Sequence, residues 1–138
     1  MPRISLPDYW MGRDLKFAAQ LSPRIRANAE LLVERVNKLL SRYSEATGDD
    51  EERRVNSGWR PPAVNAAVKN AKPRSRHLTG EAGDLGDDDE SLDTWLMTEA
   101  GQKALEECEL WMEHPDATPR WCHLQCAPPG SGRRVFFP

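Results

Sequence analysis

The sequence has little of what a disulfide scaffold or a membrane protein needs. Its 138 residues include only three cysteines, an odd number that does not suit a disulfide framework. No apolar run approaches the ~18 residues of a membrane span. The opening residues MPRISLPDYW lack the basic start and apolar stretch of a signal peptide. We therefore expect a protein made in the cytoplasm, without membrane insertion, that reaches any external target by another route.

The chain also lacks a strong excess of either charge. Nineteen lysines and arginines face 22 aspartates and glutamates, which gives a net charge of −3. This balance argues against a protein whose main task is to coat nucleic acid. Four cations nevertheless lie within eight residues, at positions 69–76, so a binder of anionic polymers stays open as an alternative. No aromatic residue interleaves them for base stacking, and we expect no nucleic-acid partner.

The length and the hydrophobic pattern predict one α+β domain over residues 1–138. Apolar residues recur every three or four positions after Ser22 and Pro23, which predicts a long helix that ends near Gly48. Residues 1–21 contain Pro2 and Pro7 and predict an extended arm that packs on this domain.

Short strands are expected near the end of the chain. Residues 110–113 and 121–125 predict two strands joined by a turn that contains two prolines, and residues 133–137 predict an edge strand. With the helices, these strands indicate a small antiparallel sheet flanked by helices.

Few histidines are present, and their context is informative. His77 precedes Asp84 by seven residues, with Gly80 between them to permit a tight turn, and His123 follows much later. Two imidazoles and a carboxylate are the three protein ligands of many catalytic zinc sites, whose fourth position is left for water. On spacing alone, the alternative that these are ordinary core or surface residues stays open.

Three motifs in order make the pattern more specific. Residues 57–60 read Ser-Gly-Trp-Arg, residues 75–84 match Ser-x-His-x-x-Gly-x-Ala-x-Asp, and residues 121–123 match Trp-x-His. In order and separation they resemble the zinc D-alanyl-D-alanine carboxypeptidase family. That family includes vancomycin-resistance D,D-dipeptidases and phage L-alanyl-D-glutamate endolysins, and it has a hedgehog-type fold. The resemblance covers roughly half of the chain and is strongest to phage and prophage members.

The resemblance implies a site and a reaction. A single Zn²⁺ would polarise the scissile carbonyl and activate water during hydrolysis of the peptidoglycan stem peptide. The enzyme would be a D,D-carboxypeptidase or an L-Ala–D-Glu endopeptidase, monomeric, and a lysin that leaves the cytoplasm through a separate pore. The implied metal ligands are His77, Asp84 and His123. The implied substrate-binding residues are Arg60, Ser75 and Trp121. Of these, Arg60 would bind the substrate carboxylate or the oxyanion, and Ser75 would support the site through hydrogen bonds.

One departure from the family concerns the proton shuttle. The catalytic carboxylate usually stands three residues before the last histidine, where this chain has Arg120. If the hairpin turn is centred near residue 117, the numbers of two paired residues add up to 234, and Glu113 pairs with Trp121. Glu113 then shares a sheet face with His123 and lies diagonal to it. Glu113 is therefore the preferred general base.

Two other carboxylates are weaker candidates for this role. Asp116 is expected at the tip of the turn and ranks second, and Glu81 lies inside the loop between His77 and Asp84. Without a competent carboxylate, the alternative is a catalytically inactive zinc-bearing binding or structural domain of the same fold.

Strand alternation also assigns the residues around His123. Trp121, His123 and Gln125 are expected on one face of their strand, with Cys122 and Leu124 on the other. Cys122 is thus predicted to be a core residue and not a metal ligand.

Overall fold

A five-stranded sheet and one long helix organise the computed structural model, which describes residues 3–138. The strand order is β1-β2-β4-β3-β5, and helices flank the sheet. The predicted α+β class, with one small sheet and flanking helices, is confirmed. The strands are β1 (Val55–Ser57), β2 (Ala82–Gly86), β3 (Trp111–Glu113), β4 (Trp121–Gln125) and β5 (Val135–Phe136), and the α-helices are α1 (Leu6–Trp10), α2 (Arg13–Lys16), α3 (Pro23–Thr47), α4 (Pro62–Ala67), α5 (Ser91–Leu96) and α6 (Glu99–Glu107).

Helix α3 begins and ends where the sequence predicts. The Ser22 hydroxyl accepts a hydrogen bond from the backbone N–H of Ile25 at 3.1 Å, and Pro23 occupies the first turn. Gly48 ends the helix with a φ of +76°, and its N–H donates to the Ser44 carbonyl. Across residues 3–138, no helix combines the length and the apolar character of a membrane span.

The sheet has two different faces because side chains alternate along each strand. Leu85 of β2, Cys122 and Leu124 of β4 and Met112 of β3 belong to the hydrophobic core, together with the apolar stripe of α3. The core assignment of Cys122 and Leu124 is confirmed, and the opposite face of β2 and β4 is left for polar residues.

The edge strand is present, but its direction corrects the purely antiparallel sheet expected from the sequence. β5 runs parallel to β3, while the other pairs are antiparallel. The chain leaves β4 at the end of the sheet where β3 begins, and β5 starts again at that end. The two strands therefore run side by side in the same direction.

The N-terminal arm is helical, so the prediction of an extended arm over residues 1–21 is wrong for the described part, residues 3–21; residues 1 and 2 lie outside the description. The Ser5 hydroxyl accepts from the Asp8 N–H, and the Asp8 carboxylate accepts from the Ser5 N–H, which forms a capping box at the start of α1. Pro7 lies in the first turn, where a missing N–H costs no hydrogen bond. Its presence was therefore compatible with a helix.

This arm holds the loop that follows β1. The Tyr9 hydroxyl donates to the Ala82 carbonyl at 2.7 Å, and the Trp10 and Trp59 rings meet edge to face at 5.9 Å. The Arg13 guanidinium donates to the Trp59 carbonyl at 2.9 Å. These contacts fix the backbone of residues 57–60 against β2.

Substitution of Gly58 tests this packing. A methyl group at Gly58 would collide with the backbone carbonyl of Tyr9, so the arm or the loop must move. We expect Gly58→Ala to lower the free energy of unfolding by about 3 kcal/mol, as overpacking does. Gly130→Ala is the control, because its methyl group would meet no atom within 4 Å, and it should change stability by less than about 0.5 kcal/mol. Chemical denaturation measures both, and equal stability of the two variants would contradict the packing.

Candidate metal centre

Three predicted ligands converge on the polar face of the sheet. The ligand atoms of His77, Asp84 and His123 all lie within 4.8 Å of one another, and all three residues are buried. Asp84 of β2 is the register partner of His123 of β4, so the two side chains share one face. A buried group of three residues with the chemistry of metal ligands is therefore present, as the sequence predicts.

His77 reaches this group through the turn that precedes β2. Gly80 adopts a φ of +76°, and a methyl group there would lie 2.8 Å from the Ile25 carbonyl oxygen of α3. Glycine satisfies both constraints, since it alone lacks a Cβ. The backbone is fixed further by the Arg60 N–H, which donates to the His77 carbonyl at 2.9 Å.

The hydrogen bond of the His77 ring fixes its tautomer. Nδ1 lies 2.8 Å from the Gly58 carbonyl oxygen, which only accepts, so Nδ1 carries the proton. Nε2 then faces Asp84 Oδ2 at 3.3 Å. A ring nitrogen and a carboxylate oxygen thus stand opposite each other at this point.

His123 is fixed in the opposite sense by Gln125. The Gln125 amide nitrogen donates to the Ala127 carbonyl at 2.8 Å, which leaves its Oε1 to accept from His123 Nε2 at 2.9 Å. With Nε2 directed at Gln125, His123 directs Nδ1 at Asp84 Oδ1, 2.8 Å away, so Nδ1 is the nitrogen that a metal ion could bind in place of a proton. A partner that orients the second ring nitrogen is characteristic of metal-ligating histidines.

This arrangement fits a metal ion. With both rings neutral, two nitrogen lone pairs would face the oxygens of one carboxylate, and either a proton or a metal ion between them removes that repulsion. Two imidazole nitrogens and a carboxylate oxygen also match the three-ligand sets of catalytic metal sites. His77 and His123 would bind through Nε2 and Nδ1, and Asp84 through its carboxylate.

The charges of the group follow the same logic. Burial disfavours the charged form of Asp84, but the adjacent His77 and His123 outweigh burial and hold the pKa of Asp84 well below its usual range. Burial also lowers the pKa of His123, but the Asp84 hydrogen bond and charge raise it above its ordinary value. Asp84 therefore favours a proton on His123, and a metal ion bound through Nδ1 of this ring must displace that proton.

Glu113 lies beside His123 on the adjacent strand. Trp111 pairs with Gln125 and Met112 with Leu124, so opposed positions sum to 236, and the same register places Glu113 opposite His123. The predicted register is thus wrong by two residues, although a shift of two keeps every side chain on its face. Glu113 Oε1 lies 3.9 Å from His123 Nε2, and burial raises the pKa of Glu113.

The other candidate carboxylates lie elsewhere. The side chain of Asp116 is 81% exposed on the turn between β3 and β4, where it pairs with His114 at 3.7 Å, and it does not line the site. Glu81 accepts from the Thr79 hydroxyl at 2.6 Å and also lies outside the cavity. The structure therefore brings only Glu113 of the three candidates to the ligand group.

The predicted substrate residues line the same cavity, of about 990 Å³. Arg60 donates through Nε to the Ser57 hydroxyl at 2.9 Å, and its Nη2 lies 3.5 Å from Asp84 Oδ2. The Ser75 hydroxyl accepts from the His77 N–H at 3.2 Å, and Trp121 lines the wall above β4. Of the predicted site residues and candidate bases, Asp116 and Glu81 lie outside this space, and the others border it.

The sequence does not predict the roles of two residues, Gln125 and Phe136, that contact His123. Gln125 orients His123, and strand periodicity had placed it on the correct face without giving it a role. Phe136 of β5 lines the cavity with its ring edge-on to His123 at 6.2 Å, and no local pattern in the sequence signals this contact.

Comparison with known proteins finds no relative, since no family model, curated protein or solved structure matches the chain. The motif resemblance thus stays a prediction. The function has to be inferred from the site itself.

Removing the central charge tests the metal centre. Asp84→Asn keeps the side-chain volume but removes the carboxylate, so we expect Co²⁺ affinity to fall on the order of 100-fold or more. The control is Asp93→Asn, a buried carboxyl that interacts with Cys122 on the opposite face. Titration followed by absorption measures both variants, and unchanged affinity in folded Asp84→Asn would contradict the ligand assignment.

The partner of His123 gives an independent test. Gln125→Leu removes the acceptor that fixes the His123 tautomer, so metal affinity should fall about 10- to 100-fold while the fold is kept. Gln20→Leu, at an exposed position before α3, is the matched control and should bind metal normally. Wild-type affinity in Gln125→Leu would show that His123 is oriented by other groups.

Proposed function

We propose that the protein is a zinc-dependent peptidase that hydrolyses the peptide stem of bacterial peptidoglycan, of the D-Ala-D-Ala metallopeptidase type. The observation that carries this proposal is the position of Glu113, a half-buried carboxylate 3.9 Å from the ring of a candidate metal ligand. A site built only to hold a structural ion has no need of a carboxylate outside the ligand group, facing an open cavity.

Zinc is the metal that the donor set favours. Two imidazoles and one carboxylate form a three-ligand site, and catalytic zinc sites of this kind keep a position for water or substrate. When bound, zinc supplies Lewis-acid activation of the scissile carbonyl and lowers the pKa of the attacking water. His77, Asp84 and His123 would hold the ion.

Glu113 is the proposed general base. It would accept a proton from the attacking water and then donate it to the leaving amine, as acid–base groups do in peptide hydrolysis. Burial raises its pKa, which makes the carboxylate a stronger base than an exposed glutamate. Its strand differs from the one that carries the usual carboxylate, but it lies on the same sheet face as His123 and lines the same cavity.

Arg60 is the proposed binder of negative charge. Its guanidinium donates to the Ser57 hydroxyl and lines the cavity. A planar fork of donors suits a substrate carboxylate or the oxyanion that develops at the scissile carbonyl. Ser75 would support the site by holding the backbone of His77.

The substrate class follows from the resemblance of the three motifs and from the cavity. A cavity of about 990 Å³ accommodates several residues of a peptide. Both a D,D-carboxypeptidase and an L-Ala–D-Glu endopeptidase reaction need the same residues. A phage or prophage lysin that reaches the wall through a separate pore is the proposed biological setting.

The proposed base is tested by Glu113→Gln. This change keeps the shape of the side chain and removes its basicity, so we expect normal zinc content with turnover lower by on the order of 10²-fold or more. Asp116→Asn is the control and should keep wild-type turnover, because its side chain is exposed on the turn. The measurement is mass spectrometry of muropeptides released from purified peptidoglycan, together with metal analysis.

Two results would contradict this proposal. Near-normal turnover in Glu113→Gln with an inactive Asp116→Asn would show that the general base is Asp116 and not Glu113. Zinc bound by the wild type without release of any stem peptide would favour the inactive metal-bearing binding domain.

A further inference from the structure

The cavity is strongly positive in a protein that is negative overall. Five cationic side chains line it, whereas Asp84 and Glu113, both next to the candidate metal centre, are the only acidic side chains among its lining residues within residues 3–138. The chain as a whole has a net charge of −3. The positive charge is therefore concentrated where a ligand enters.

Most of these cations come from the basic segment (residues 69–76), which forms the wall on the side of His77. Arg76 is paired with Glu81 at 3.4 Å, and Arg60, on the floor, contacts Asp84 at 3.5 Å. Lys69, Lys72 and Arg74 are exposed and have no acidic partner within 4 Å among residues 3–138. Three positive charges thus face the cavity without internal compensation.

The opposite wall is apolar. Trp121 of β4, Phe136 of β5 and Pro129 of the loop between them line it, and none carries a charge. Phe136 narrows the space next to His123, where its ring edge contacts the imidazole. One wall therefore suits an anionic group of a ligand, and the other suits an apolar group.

We propose that the basic segment is a carboxylate subsite, with Lys69, Lys72 and Arg74 as its ligands. The substrate is then a peptide with a free carboxylate on one side of the scissile bond and a small apolar residue on the other, against Trp121 and Phe136. This inference rests on the proposed peptidase function and narrows it. In a stem peptide, it selects a bond next to the acidic residue over the bond between two terminal alanines.

Charge counting favours this bond. A terminal alanine pair offers one carboxylate, which Arg60 can bind alone, and leaves the three cations of the basic segment unused. A bond next to an acidic residue supplies a further carboxylate to that wall. The basic segment is less suited to nucleic acid than to a peptide carboxylate, because it contains no aromatic residue on which a base could stack.

The test compares two peptides that differ only in this carboxylate. One carries the acidic residue beside an alanine and the other carries its neutral amide, and calorimetry measures their affinity for zinc-loaded Glu113→Gln protein. We expect the acidic peptide to bind about tenfold more tightly, and the preference to weaken as salt is raised.

Charge-matched variants locate the subsite. In the same background, the triple variant Lys69→Gln, Lys72→Gln and Arg74→Gln should bind both peptides equally. The control, Arg24→Gln, Lys38→Gln and Lys103→Gln, removes the same charge from exposed positions outside the cavity and should keep the preference. Circular dichroism verifies that all variants are folded.

The outcomes separate this inference from the proposed function. Equal binding of the two peptides, a preference that survives the triple variant, or tighter binding of a short oligonucleotide with as many charges as the peptide would overturn the subsite. A preference for the acidic peptide without hydrolysis by the zinc-loaded wild type would refute the peptidase and leave the subsite standing. Hydrolysis of the two peptides without any difference in their binding would support the peptidase and refute the subsite.

Discussion

The burial of the Asp84 carboxylate between two imidazoles is the interaction on which the site depends. A buried carboxylate costs several kcal/mol unless cationic or donor groups compensate it. Here His77 and His123 approach its two oxygens at 3.3 and 2.8 Å, and Arg60 adds a third contact at 3.5 Å. The arrangement stays stable only if both rings are held in place, so the surrounding fold has to supply rigid supports for each of them.

Those supports come from distant parts of the chain. The Gly58 carbonyl accepts from the His77 ring, and the Tyr9 backbone packs directly against Gly58, so the N-terminal arm supports the first candidate ligand. The second candidate ligand, His123, lies on β4 between β2 and β3, and Gln125 orients its ring. The core that buries the opposite face therefore also sets the distance between the ligands, since Cys122 and Leu124 pack beneath the same strand.

Local signals predicted most of this architecture because they depend on short-range physics. The Ser22 cap and the Gly48 stop define α3, and strand alternation separates His123 from Cys122. What failed depended on longer-range information. Predicting a helical arm would have required giving the Ser5–Asp8 capping box more weight than the prolines. The direction of β5 depends on where the chain re-enters the sheet. The hairpin register shifted because the turn includes a 3-10 helix at Pro115–Ala117.

The position of Glu113, the proposed general base, shows how a sheet can bring a carboxylate beside a candidate metal ligand. The family that the motifs resemble has this carboxylate three residues before the last histidine, and here that position is occupied by Arg120, which is exposed with a φ of +68° at the end of the turn. A carboxylate on the neighbouring strand meets the same requirement, because directly opposed residues share a face at close range. The constraint is thus on the face and the distance, not on spacing along the chain. An even shift in register preserves that face, so Glu113 stays beside His123 in both the predicted hairpin and the observed one.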